Sequence, residues 1–133
     1  MNPGRCSPGD VLETGEYCRI VFAVDSRGRM PVQDDFFKAG AVGPEDKKKM
    51  HAALKNFSRT GPTSNPQRYE TIDGFHYLKI HAFRAFCVER ICKGVREVVV
   101  CHIEPKKQDK SLPDTLKKKA WRRFEQHCER YRP

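Results

Sequence analysis

The sequence predicts a single α+β domain: a curved antiparallel sheet of about four strands with helices packed on one face, in the order β-α-α-β-β-β-α. Two observations predict it. Apolar residues recur every three to four positions near residues 44–60 and again after Pro113, which is the helical period. Residues 16–24, 77–80, 83–91 and 95–103 are instead β-branched and aromatic runs that read as strands. The chain has 133 residues, 38% of them apolar, which suits one core and is short for two.

Residues 1–15 hold two Pro and three Gly without apolar periodicity and read as a flexible lead-in, leaving 16–133 as the domain. EYCRIVFAV at 16–24 is the first strand, closed by Asp25 to Gly28. Val32 and Phe36 lie four apart in a short helix ending near Gly40. Pro44 with Glu45 and Asp46 suits the start of a second helix. Met50, Ala53, Leu54 and Phe57 share one face of it, and Gly61-Pro62 ends it. Lys47 to Lys49 read as its solvated side.

Lys93-Gly94 is a tight hairpin turn between the last two strands. A two-residue turn sets Cys92 opposite Val95, Phe86 opposite Cys101 and Arg84 opposite Ile103, with Arg84 within a residue or so of His102. A slip of one residue would reverse every side chain. The last helix follows a capping box at Ser111 to Asp114. Leu116, Ala120, Phe124 and Cys128 form its apolar stripe, and Lys117, Lys118, Lys119, Arg122, Arg123 and Arg130 occupy its other faces.

Charge is lopsided. The net of +9 divides into 11 basic and 10 acidic residues before Gly74, and 15 basic and 7 acidic from there on. A phosphate-rich or acidic partner is expected at the second half. No apolar run reaches the ~18–20 residues of a membrane span, and the opening residues lack a secretory h-region. Three of the six cysteines (18, 87, 101) lie in apolar runs, and the expectation is reduced thiols in a cytoplasmic protein.

Phosphate-loop, GxGxxG, GxSxG and HExxH motifs are absent, and no cofactor is expected. The acids of the second half are scattered singly, so a two-metal phosphodiesterase is not indicated. Cys87, Cys92, Cys101, His102, His127 and Cys128 lack CxxC spacing, which argues against zinc, and no metal is expected. There remains a cationic group: Lys79 and His81 on one strand, Arg84 on the next, His102 on the last, then Lys106, Lys107 and Lys110.

RNA cleavage through its own 2′-hydroxyl needs a base, positive charge at the phosphorane and an acid for the leaving oxygen. Arg84 suits the phosphate, and Lys79, His81 and His102 are base or acid candidates. The same residues equally suit a basic surface that binds nucleic acid without cutting it.

GFHYLK at 74–79 and FRAFCV at 83–88, followed by VVVCH at 98–102, KKQDK at 106–110 and Pro113, resemble the RelE/HigB-like toxins, in particular their phage-derived branch. IVFAVDSRGRMPVQDDF at 20–36 is similar to the opening strand of that group. Three features depart: Tyr77 or Leu78 stands where the group has an acid, Ile103-Glu104 replaces Gly-Phe, and one residue is added before Pro113.

The resemblance implies a toxin domain over residues 16–133 that cuts mRNA on the ribosome without metal and inhibits translation. It implies neutralisation by an antitoxin encoded by a neighbouring gene. Carried over by position, it gives Lys79, Arg84 and His102 the catalytic positions beside His81. Lys106, Lys107 and Lys110 become RNA-binding, and Arg96 is a further RNA-binding candidate on the basic second half. Partners are then mRNA, ribosome and antitoxin, with no membrane and no small-molecule cofactor. The alternative is a non-catalytic basic RNA- or protein-binding module of the same fold.

Overall fold

A computed structural model describes residues 11–34, 43–62, 69–72, 74–80, 83–105 and 114–132. Six strands, β1 (Val11–Thr14), β2 (Arg19–Phe22), β3 (Tyr69–Ile72), β4 (Phe75–Ile80), β5 (Phe83–Cys92) and β6 (Val95–Pro105), form one sheet in the spatial order β1-β2-β6-β5-β4-β3. The helices are α1 (Pro31–Gln33), α2 (Pro44–Thr60) and α3 (Asp114–Arg130). The fold is α+β with a single sheet, but with six strands where about four were expected. β1 lies inside the stretch read as a lead-in. Nor is the sheet wholly antiparallel, because β2 runs parallel to β6.

Helices cover both faces, which corrects the one-faced expectation. Met50, Leu54 and Phe57 of α2 and Val32 of α1 pack on Ile20, Phe22, Leu78, Ala85, Cys87, Val98 and Val100. Ala120 of α3, flanked by Leu116, Trp121 and Phe124, packs on Val21, Phe75, Tyr77, Phe86, Val88, Val99 and Cys101 from the other side. Neighbouring residues of a strand point to opposite faces, so a strand buried on both must be apolar throughout. β6 is: Val98, Val99, Val100 and Cys101 are all fully buried.

α2 begins at Pro44, as read from the sequence, and ends against Gly61, whose N–H donates to the Phe57 carbonyl at 2.8 Å. Near its C-terminus the Ser58 carbonyl accepts from the N–H groups of both Tyr17 and Cys18, at 2.9 and 3.0 Å, which docks the β1–β2 turn on the helix end. Gly15 permits this approach, since a Cβ there would lie 2.3 Å from the Ser58 oxygen.

The β5–β6 hairpin turns on Lys93 and Gly94, both with positive φ (50° and 79°). From Cys92–Val95 to Cys87–Val100 the pairing follows the register that this turn predicts. It then shifts: Phe86 pairs with His102, Ala85 with Ile103 and Arg84 with Glu104, and Cys101 is the extra residue of a β-bulge.

On α3 the strict four-residue stripe also needs correction. Four residues turn about 400°, so an i, i+4 series drifts about 40° per step, whereas eleven residues return to within about 20°. His127, not Cys128, therefore continues the face of Leu116, and it is fully buried while Cys128 is half-buried. Among the described cysteines, Cys18, Cys87, Cys101 and Cys128 are free thiols. Cys92 is held in a disulfide, against the expectation of reduced thiols.

Candidate active site

The ends of β4, β5 and β6 carry two rows of side chains across the α3 face. In one row Lys79, Arg84 and Glu104 stand directly opposite one another. In the next, two residues along each strand, stand Tyr77, Phe86 and His102. Side chains at i and i+2 share a face, so the two rows adjoin. The bulge creates this arrangement. In the unbroken hairpin register His102 would oppose Ala85, whose side chain lies in the α2 core, and Arg84 would oppose Ile103. The extra residue turns both Cys101 and His102 toward α3, with the His102 ring 6.0 Å from that of Phe86.

Arg123 of α3, itself buried, donates from Nη1 to the Cys101 carbonyl at the bulge (3.0 Å). One helix residue thus serves a carbonyl of the distorted strand and brings a guanidinium beside His102. Lys79 Nζ lies 2.7 Å from Glu70 Oε1 on β3, and the two side chains are only 10% and 27% exposed. His102 Nε2 is 3.3 Å from Glu104 Oε2. Arg84 donates from Nη1 to its neighbour's carbonyl, Phe83 O, at 2.7 Å and hydrogen-bonds Tyr77.

Electrostatics divide the group. Burial pushes the His102 pKa below its ordinary 6.5, and the Arg123 and Lys119 charges push the same way against the Glu104 carboxylate. Burial likewise raises the Tyr77 hydroxyl, with Glu104 and Glu70 adding to the rise and Arg84 opposing it. At neutral pH His102 is therefore a neutral imidazole. Its Nε2 is turned to a carboxylate and its Nδ1 remains as a proton acceptor, the geometry of a base with an orienting partner.

Lys79 thus meets an opposite charge, the Glu70 carboxylate of the neighbouring strand.

Lys79, Arg84 and His102 thus come together. Arg96 does not: it lies toward the hairpin end on the α2 face, 4.2 Å over the Tyr17 ring and 3.4 Å from Glu89. His81, Lys106, Lys107 and Lys110 lie outside the described residues. Sequence reasoning missed Glu70, Glu104 and Arg123. Glu104 carried a usable signal, standing two residues beyond His102 on one strand. Glu70 carries none, because YETI at 69–72 is too short to show a strand period.

A second cluster on the α3 face was also missed. Glu97 is fully buried and accepts from Arg19 Nη2 (3.0 Å), Arg90 Nε (2.9 Å) and His127 Nε2 (3.1 Å).

Neither a protein-family model nor a curated protein matches this chain. Among the described residues no helix is long and apolar enough to cross a membrane. Nor do three His, Cys, Asp or Glu side chains converge as metal ligands among them.

Proposed function

We propose that this chain is the toxin of a toxin–antitoxin pair, a metal-independent endoribonuclease that cuts mRNA on the ribosome. The observation that carries the reading is the row of Lys79, Arg84 and Glu104 beside His102 on one sheet face. In the proposed reaction His102 takes the proton from the RNA 2′-hydroxyl, whose oxygen attacks the adjacent phosphorus. Arg84 stabilises the phosphorane. The P–O5′ bond breaks and the 5′-oxygen takes a proton from Lys79, giving a 2′,3′-cyclic phosphate and a 5′-hydroxyl.

Glu104 holds the imidazole, and Glu70 holds the ammonium. Action in the cytoplasm, restrained by an antitoxin from a neighbouring gene, belongs to this reading. A reducing cytoplasm would open the Cys92 disulfide, and the other four described thiols are already free.

Primer extension on cellular mRNA before and after induction tests it. New 5′ ends within coding regions are expected with the wild-type chain. Arg84→Ala or His102→Gln should cut their yield by about 10²–10⁴-fold. Undiminished cleavage by an Arg84→Ala, His102→Gln double variant would remove the catalytic assignment.

The carboxylates at Lys79 and His102 favour a second reading, a binding module in which these internal contacts rigidify the surface. That reading expects salt-sensitive RNA retention with no cleavage product.

A further inference from the structure

Beyond the row of cations on the sheet, the outer side of α3 carries a feature that the proposed chemistry leaves unused. A concavity of about 690 Å³ is lined by Lys117, Lys118, Lys119, Trp121 and Arg122, with Asp114 and Glu125 its only acids among the described residues. Lys118, Lys119 and Arg122 are exposed, Trp121 is half-buried, and Lys117 stands 3.8 Å from Asp114.

At about 100° per residue, the order around the helix is Trp121, Lys118, Arg122, Lys119, Arg123, in steps of about 40–60°. This band crosses α3 from an aromatic ring to the two cations whose charges act on His102. The indole is held firmly. It packs 4.9 Å from Phe75 and edge-on to Phe124, and Gly74 lies beneath it, where a Cβ would come within 3.3 Å of the ring.

We infer that this band is a docking platform for single-stranded RNA. One base stacks on Trp121, Lys118 and Arg122 hold the following phosphates, and Lys119 passes the strand toward His102. A fixed aromatic ring beside a line of cations is the combination that binds single strands without regard to sequence. Four cations against two carboxylates give the concavity the sign that a phosphate backbone requires. The inference rests on the RNA-directed reading above and adds where the strand enters.

Trp121 is the only tryptophan, so its fluorescence reports this place alone. The test titrates the full chain with a single-stranded all-2′-deoxy dodecanucleotide, which cannot be cut through a 2′-hydroxyl. Saturable quenching is expected. Lys118→Gln with Arg122→Gln should weaken binding about tenfold and reduce the slope of log affinity against log salt by about 1.4, the loss of two single-strand phosphate contacts.

Both substitutions are exposed, so folding is preserved. A Trp121→Phe variant followed by fluorescence anisotropy of a labelled oligonucleotide keeps an aromatic stack and should bind nearly as the parent does. Binding that leaves Trp121 emission unchanged, or that is indifferent to the double variant, overturns the platform. So does equal quenching by poly-glutamate, which would make the face a dock for acidic protein. Primer extension separates this from the underlying reading. Cleavage without quenching removes the platform alone. Quenching without cleavage by the wild-type chain supports the platform and removes the nuclease.

Discussion

Two carboxylates on the same face of the same strand, Glu97 and Glu104, each meet a histidine, yet their surroundings differ. Glu97 lies under the last turns of α3 and is saturated. Oε1 accepts from Arg90 and His127, and Oε2 accepts from Arg19. His127 Nδ1 in turn accepts the Val24 N–H at 3.0 Å, which fixes the proton on Nε2 and leaves the ring no lone pair for a ligand. Glu104 meets His102 near the sheet end, where both side chains keep some exposure (10% and 15%) and His102 Nδ1 remains as an acceptor. Residue type is shared, so it is exposure that separates the two pairs, none at Glu97 and His127 against a little at Glu104 and His102.

The largest expected effect tests that division directly. Glu97→Ala leaves two guanidiniums that are mostly removed from water without their carboxylate, which should cost about 3–5 kcal/mol in urea unfolding. Glu104→Gln keeps shape and hydrogen-bonding capacity at a place that is also buried, its side chain 10% exposed. It should cost about 1–2 kcal/mol, less than Glu97→Ala, while depressing cleavage, since His102 loses its orienting charge. Equal losses of stability from the two would erase the distinction.

The pH dependence sharpens it. Burial alone would raise the Glu97 carboxyl, but the His127 hydrogen bond, the Arg90 charge and the Arg19 hydrogen bond together bring it down from 4.5 to about 2. A depressed carboxyl stabilises fully above its unfolded pKa. Roughly 3 kcal/mol is therefore present above pH 4.5 and lost as pH falls toward 2.

His127 is pushed below 6.5 by burial, more than Glu97 can offset. The unfolded chain then binds its proton first, so this contribution begins to fade below pH 6.5. His76 and His102 are shifted the same way, chiefly by burial. Thermal unfolding should therefore show Tm falling from about pH 6.5 downward, with His127→Gln flattening the upper part of that fall and lowering Tm at neutral pH. A Tm that rises on acidification from pH 7 to 5 would contradict the buried neutral imidazoles.

Much of this was legible in the sequence. Pro44 and Gly61 bound α2, and Lys93-Gly94 set the hairpin, because each needs a backbone geometry that few residues supply. β1 and β3 were not legible. Each is four residues long, and VLET and YETI are too short and too polar to show a period of two.

The two-faced burial was legible but not used. VVVC at 98–101 and IVFA at 20–23 are continuous apolar runs where a strand with a solvated face would alternate. The candidate site was half legible. Lys79 and Arg84 follow from strand pairing, but His102 reaches their face only through the Cys101 bulge, which local composition does not mark and which Arg123, from a distant helix, supports.

The smallest expected effect concerns the α2 face. Arg96 is the one RNA-binding candidate among the described residues that the fold sends there, to a cluster in which Glu89 also meets Tyr17 Oη at 3.4 Å and His76 at 3.5 Å. Its side chain is 40% exposed, so its ion pair with Glu89 is worth under about 1 kcal/mol, and the stack on Tyr17 adds about 0.5–1. Arg96→Gln should lower stability by about 1 kcal/mol in urea unfolding and leave primer-extension cleavage unchanged, because the sheet separates it from His102. If cleavage fell instead, RNA would have to wrap the hairpin end and reach both faces, and the site could no longer be confined to the face beneath α3.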